Sequence, residues 1–429
     1  MDLSQKTVYD PSLRQPFTLR SAGDSPVLIG NLCLGCEYLT RWHTTSAMKM
    51  RQSPTREWFL LPLLVAAGFS RLCVGEDRTL SSELLTREQW RQLDQSVDRG
   101  LDFLATQQGR DGSFTGPPTG QPGITSLCVL AFLSRGHLPN EGPYGKALNR
   151  AIQFVLSQQQ ENGLIFDLPI ENRTWADERH KTSIYNHAIS GLMLTEVYGM
   201  TQGNDSEPMA ETIRSALKFT RQQQTRRKMN KHDKGGWRYL VMDSVSQNDS
   251  DLSVTAWQVM FLRSARNAEF DVPVEYIQDA MEYVRRAYVP SDGSFSYGHR
   301  NVRDQITRAM VGGGILLLSL SGEHDSEMAR SGGRWLLERP FDRYNRFVHN
   351  SERYHYSAYY CSQAMFQLGG EYWAGFFPTL MTTQLDNQQP DGSWSAESNR
   401  DGQYGNVYTT ALSVLSLTPP YQILPIYQR

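Results

Sequence analysis

Gly235–Tyr239 reads GGWRY, and after a polar loop Asp251–Asn267 reads DLSVTAWQVMFLRSARN. A glycine pair can bend the chain tightly, because glycine takes up φ > 0 without steric cost. The aromatics that follow can fold back on the turn. Asp251, Ser253 and Thr255 supply the side-chain oxygens that start a helix. From Leu252 onward the residues are apolar most of the way round, which places the helix in an interior layer. A unit of this kind cannot bury its own apolar helix, so the stretch predicts neighbours built like itself.

Those neighbours are present from about Ser96. In each, a helix ends in a Gln-rich turn with a glycine and an aromatic, and a more apolar helix follows. The first is RGLDFLATQQGRDGSF (Arg99–Phe114) with ITSLCVLAFLSRG (Ile124–Gly136). The second is RAIQFVLSQQQENGLIF (Arg150–Phe166) with SIYNHAISGLMLTEVYG (Ser183–Gly199). The third is SALKFTRQQQ (Ser215–Gln224), a basic insertion, GGWRY and the helix from Asp251. Asp279–Tyr297 with Ile306–Gly322, a degenerate Arg330–Tyr344 with His355–Gly370, and Phe377–Trp394 with Gly405–Leu417 complete six. Periods near 50 residues are the mark of a repeat architecture. The first helix of each pair is amphipathic and suits an outer layer; the second belongs inside. With no polar capping repeat at either end, the expected fold is all-α: an α/α toroid, six helical hairpins closed into a double-walled barrel, rather than an open solenoid.

The turns carry their own chemistry. Gly112, Gly163, Gly236, Gly293 and Gly392 are placed for φ > 0 geometry, and Asp111, Asp292 and Asp391 favour turn starts. A glutamine follows an aromatic by five positions in Phe103/Gln108, Phe154/Gln159 and Phe219/Gln224, where it can tie the turn to the neighbouring repeat by hydrogen bonds.

Composition narrows the function. The chain of 429 residues carries a formal net charge of −2, whereas nucleic-acid binders are usually strongly basic. The local cluster Arg226, Arg227, Lys228, Lys231 and Lys234 reads as a solvated loop, with a phosphate or membrane-surface contact as the alternative. Met48–Gly75 has the pattern of a signal peptide: basic Lys49, Arg51 and Arg56, the apolar run Phe59–Phe69, and small residues at Cys73 and Gly75. The expected organisation is therefore a leader of 1–47 lying outside the translated protein, a signal peptide at 48–75, and one exported domain at 76–429. Such a mature chain keeps only Cys128 and Cys361, both in apolar helix patterns that suit packing. No disulfide framework, metal or cofactor is expected.

The unit of a basic or small pair, an aromatic, an aliphatic, a glutamine and then Gly-x-aromatic resembles the QW repeat of squalene and oxidosqualene cyclases. RGLDFLATQQGRDGSF is similar to it with Phe114 in place of Trp. The wider terpenoid cyclase and protein prenyltransferase superfamily, with its six-hairpin toroid, is resembled over about residues 90–420. The resemblance implies sites that this chain alters. Cyclases carry D-x-D-D-T-A, whose middle Asp protonates the substrate; here Asp251–Ala256 reads DLSVTA, with Ser253 for the acid. Prenyltransferase β-subunits carry D-x-C and a later His as zinc ligands; here Ser253 replaces the thiolate and Tyr356 stands for the His, with His355 one place off. The thioester motif of complement-like relatives is matched only by GCE at Gly35–Glu37.

In a toroid, the starts of the inner helices form the default ligand wall. Asp251 and His187 are the first candidates for catalytic roles, with a helix cap and a satisfied core histidine as their plainer alternatives. Tyr185, Trp237, Tyr239, Trp257, Tyr359, Tyr360 and Tyr408, with Tyr404, are candidates for an aromatic wall, or else for core packing. Such a wall suits an isoprenoid, a carbocation or a sugar ring. The leading expectation is a hydrophobic or isoprenoid ligand. A structural or protein-interaction scaffold is one alternative. The other is a carbohydrate-active lyase or hydrolase using Asp251 with Glu196, or Asp304 with Arg303.

Overall fold

The structure is a computed structural model that describes residues 84–166, 168, 177–201, 207–241, 249–299, 305–346 and 352–428. The leader and signal-peptide readings, and the Asp304–Arg303 pair, lie outside the described residues. The compact unit discussed here spans Cys73–Arg429.

Helices alternate between two layers. The outer ones are α1 (Arg87–Thr106), α3 (Gly145–Ser157), α5 (Glu207–Gln224), α7 (Val274–Ala287), α9 (Glu327–Leu337) and α11 (Gly370–Asp386). The inner ones are α2 (Gly123–Ser134), α4 (Arg179–Thr201), α6 (Leu252–Asn267), α8 (Arg308–Leu320), α10 (Tyr354–Leu368) and α12 (Gly405–Leu417). Each inner helix packs on the next, and α12 packs back on α2, so the ring closes. A two-stranded ribbon, β1 (Tyr288–Val289) with β2 (Ser294–Phe295), occupies the turn after α7.

The layer assignment follows from the residues. In α1 the buried positions Trp90, Leu93, Val97, Leu101 and Leu104 fall three and four apart, so one stripe is buried. Every residue of α2 is buried. Small residues let the inner helices approach: Ser126 Oγ and Ser190 Oγ lie 2.9 Å apart, and Gly312 sits against the backbone of Cys361. Cys128 and Cys361 are free thiols within this packing.

The glutamines form a clamp repeated around the ring. Gln108 Nε2 donates to the carbonyls of Gly112 (3.0 Å) and Ala147 (2.8 Å). Gln159 Nε2 donates to Gly163 and Thr212, and Gln224 Nε2 to Gly235 and Tyr276. Each carboxamide thus ties its own turn to the start of the next outer helix. Gln388 Nε2 does the same across the closing seam, to Gly392 (2.8 Å) and Ser96 (2.8 Å). The glycine in the turn has φ near +90° and lies against a carbonyl of the next outer helix, as Gly392 does against Arg99, so a Cβ there has no room.

Two expectations need correction. In the third repeat Gly235, not Gly236, holds the positive φ of 87°; Gly236 is a close-approach position against Ser250 and the Tyr283 ring. The sixth repeat starts at Gly370 rather than Phe377, and α11 runs through Pro378. Its first turns are held by Trp373, which stacks on Phe377 at 4.2 Å with both rings buried.

Gln388→Ala removes both hydrogen bonds that its Nε2 makes across the seam. It should cost about 1–3 kcal/mol in urea unfolding with an unchanged m-value. Gln153→Ala, at an exposed site on α3, should stay within about 0.5 kcal/mol. Equal stabilities for the two variants would contradict the clamp.

Candidate functional site: an aromatic cavity at the helix starts

The cavity lies where the inner helices begin, and its volume is about 650 Å³. Its apolar wall is Ile124 and Leu127 from α2, Ile189 from α4, Met310 from α8 and Leu412 from α12. Aromatic side chains add Tyr185, Tyr239, Trp257, Tyr297, Tyr356, Tyr404 and Tyr408. Glu178, Lys181, Arg238, Arg353, Arg400 and Asp401 bring charge to the same wall. Later turns of the inner helices are closed off by the segment after α12. There Tyr427 OH meets Tyr359 OH at 2.6 Å, Gln367 Nε2 donates to the Tyr427 carbonyl at 2.7 Å, and Ile426 N–H donates to Glu196 at 3.2 Å.

Five of the residues expected at the wall are there: Tyr185, Tyr239, Trp257, Tyr404 and Tyr408. Trp237, Tyr359 and Tyr360 lie behind it. Trp237 is fully buried and its Nε1 donates to the Thr220 carbonyl at 2.8 Å, the same use that Trp394 makes of the Gln384 carbonyl. Tyr359 stacks on Trp257 with centroids 5.3 Å apart, backing the wall rather than forming it.

Asp251 and His187 also stand behind the wall. Asp251 Oδ1 accepts from the Val254 N–H at 2.8 Å, the N-cap of α6, and Oδ2 is ion-paired to Arg238 Nη1 at 3.0 Å. Burial pushes its carboxyl above the ordinary range, while Arg238 and the Val254 N–H pull it back. His187 Nδ1 accepts from the Ile165 N–H at 3.2 Å and Nε2 meets Thr220 Oγ1 at 2.9 Å. Thr125, Thr255 and Thr410 receive the N–H of the residue after the turn in their own repeats, from Phe114, Trp237 and Trp394. His187 therefore occupies a repeat-joining position. Glu196, buried beside Ser264 (2.5 Å), belongs to the far end of the barrel and does not meet Asp251 at the wall.

Several wall residues were not singled out by sequence. Arg238 connects Asp251 to Tyr297 OH (3.4 Å), and Tyr297 OH meets Tyr239 OH at 2.9 Å. Glu178 is paired with Arg400 at 2.6 Å and Lys181 at 3.2 Å, and Asp401 with Arg353 at 3.0 Å. All but Lys181, which lies in the first turn of α4, precede the inner helices and obey no helical period, so only the fold brings them together. Ser253 and Tyr356 did carry a signal, as the two positions where the family's acid and metal ligands are replaced. Here their hydroxyls lie 2.8 Å apart on the wall.

No protein-family model and no curated protein matches this chain. Solved structures do. A type II terpene cyclase from Scytonema in complex with geranylgeranyl dihydroxybenzoate is 14% identical, covers 79% of this chain and 100% of its own, and gives a TM-score of 0.52. An inactive variant of an α-1,6-mannanase of Salegentibacter sp. in complex with α-1,6-mannotetrose is 10% identical over 77% of this chain and 99% of its own, at a TM-score of 0.53. A D-mannose isomerase is 14% identical over 77% and 96%, at 0.54. Likeness at such identities establishes the α/α toroid, a fold that serves terpene and sugar chemistry alike.

Burial holds the His187 imidazole neutral, with its pKa pushed down to about 3. The unfolded chain titrates near 6.5. Its contribution to stability is complete above pH 6.5 and is lost as pH falls toward 3, because the unfolded state takes up a proton that the native state refuses. Glu196 and Glu397, both pushed up to about 7 by burial, act with the opposite sign and lose their contribution as pH rises through 7. Comparison with His187→Gln isolates the histidine. Relative to the wild type, the variant should gain about 1.4 kcal/mol per pH unit as the pH falls below 6.5. Parallel stability curves between pH 7 and 4 would contradict a neutral buried His187.

Proposed function

We propose that this toroid binds a hydrophobic or isoprenoid small molecule in the cavity at the starts of its inner helices. The observation that carries the reading is the wall itself: Trp257, Tyr185, Tyr356 and Tyr408 line one cavity together with Ile124, Leu127, Ile189, Met310 and Leu412. Flat aromatic faces and branched aliphatics suit an unsaturated hydrocarbon, and removing apolar area from water drives the association. A cavity of about 650 Å³ lies within the range of small-molecule sites. A barrel serving only as a scaffold would be filled by its own side chains.

A sugar ligand is the second reading, favoured by one observation: Glu178 and Asp401 are carboxylates on the wall. Both are held in ion pairs with arginines, which leaves them as anchors for the rim more than as free acids. The toroid of the mannanase is compatible with this reading, as that of the terpene cyclase is with the first. Export from the cell, read from Met48–Gly75, is part of the same proposal and makes an envelope lipid a natural source of ligand.

Native mass spectrometry of the purified protein, followed by lipid extraction, should recover a lipid bound at one per chain. Trp257→Ala should lower its occupancy severalfold by removing a large part of the aromatic wall. Purification without lipid, together with binding of a mannose oligosaccharide, would overturn the reading in favour of the second.

A further inference from the structure

The wall is not uniformly apolar. Three inner helices bring polar groups to one spot: Tyr185 from α4, Ser253 and Trp257 from α6, and Tyr356 from α10. Tyr185 OH donates to Ser253 Oγ at 2.9 Å. Trp257 Nε1–H donates to Tyr356 OH at 2.9 Å. Ser253 Oγ and Tyr356 OH share one bond of 2.8 Å, in which either can donate.

A count of hydrogens exposes an imbalance. The hydrogens of Tyr185 and Trp257 are used. Ser253 and Tyr356 own one hydroxyl hydrogen each, and the single bond between them uses only one. The other is left without an acceptor in the cluster, and both oxygens that can carry it line the cavity. Tyr360 does not absorb it. Its hydroxyl lies buried next to that of Tyr356, with the rings 5.0 Å apart, and it brings a hydrogen of its own, so a bond between the two only passes the surplus to a drier place. A buried hydroxyl that lacks an acceptor is costly, so the array is complete only when something in the cavity accepts.

We infer that the Tyr185–Ser253–Tyr356–Trp257 array is a recognition site for an oxygen atom on the ligand, so that the cavity selects an oxygenated isoprenoid over the corresponding hydrocarbon. The inference rests on the hydrophobic-ligand reading above and deepens it. The surplus hydrogen points the ligand's hydroxyl, ether or carbonyl oxygen to the Ser253–Tyr356 pair, while its hydrocarbon part lies along the aromatic and aliphatic wall. Selectivity arises because a hydrocarbon leaves the donor unmet, whereas an oxygenated ligand replaces the water that otherwise satisfies it.

All-trans-farnesyl methyl ether, whose oxygen only accepts, and all-trans-β-farnesene serve as probes, titrated against intrinsic tryptophan fluorescence in the wild type and Ser253→Asp. A carboxylate at position 253 can accept from both Tyr185 and Tyr356 and so takes up the surplus hydrogen; it should weaken the ether about five- to tenfold more than farnesene, the worth of one net hydrogen bond. Comparison across variants cancels the different solubilities of the probes. Equal effects on both probes, or on neither, would overturn the oxygen site and leave the hydrophobic-ligand reading standing. Failure of the wild type to bind either probe would defeat that reading, and this inference with it.

Discussion

The structure depends on one side-chain device. A glutamine at the end of an outer helix turns its carboxamide to hold two carbonyls at once, one in its own turn and one in the first part of the next outer helix. The turn carbonyl gains its donor and the helix carbonyl, already bonded within its helix, accepts a second hydrogen, so the clamp fixes the angle between repeats. Used at Gln108, Gln159, Gln224 and Gln388, it carries the chain round until the last turn meets the first helix. Without a constant angle, hairpins of this kind would stack into an open superhelix. In the degenerate stretch the work passes to other groups. Tyr288 OH joins Ser331 Oγ at 2.9 Å, and Arg308 and Glu352 form a buried ion pair at 2.9 Å.

Ring closure decides what the inner helices can present. Since all six enter from the same end, their first turns surround a common space, and their later turns pack on each other and on the segment containing Tyr427. The buried Asp251–Arg238 pair shows how this end is kept polar without becoming loose. Asp251 caps α6 from behind the wall, and Arg238 passes its charge forward to Tyr297. Removing one member would leave an uncompensated charge out of water, so the pair acts as a fixed strut.

Much of the fold was legible because it is written locally. Periodic apolar residues gave the two layers, and the Gln and Gly spacing gave the turns. The misreadings have local causes too. Two adjacent glycines at 235 and 236 cannot be told apart without knowing which one faces the Asp279 carbonyl. Pro378 looks like a helix boundary until the burial of Trp373 and Phe376 is seen. The site was only half legible. Tyr185, Trp257 and Tyr408 sit near the starts of inner helices, where a toroid places its wall, and Tyr239 lies in the connection leading to one. Trp237, by contrast, follows a turn as Phe114 and Trp394 do, and shares their structural use. His187 reads as a titratable base in sequence, yet it replaces a threonine in the joint between turn and helix. Arg400 and Asp401 come from a connection with no period, and no local rule could have assigned them.

The account stands on the seam between the two ends of the ring. A photo-cross-linking residue, p-benzoylphenylalanine, placed at position 388 tests it most directly. A closed toroid predicts cross-linking within one chain to the peptide that contains Ser96 and Arg99, at every protein concentration. Cross-links that appear only between chains, or that never reach this peptide, would show the hairpins to be an open superhelix and would end the account.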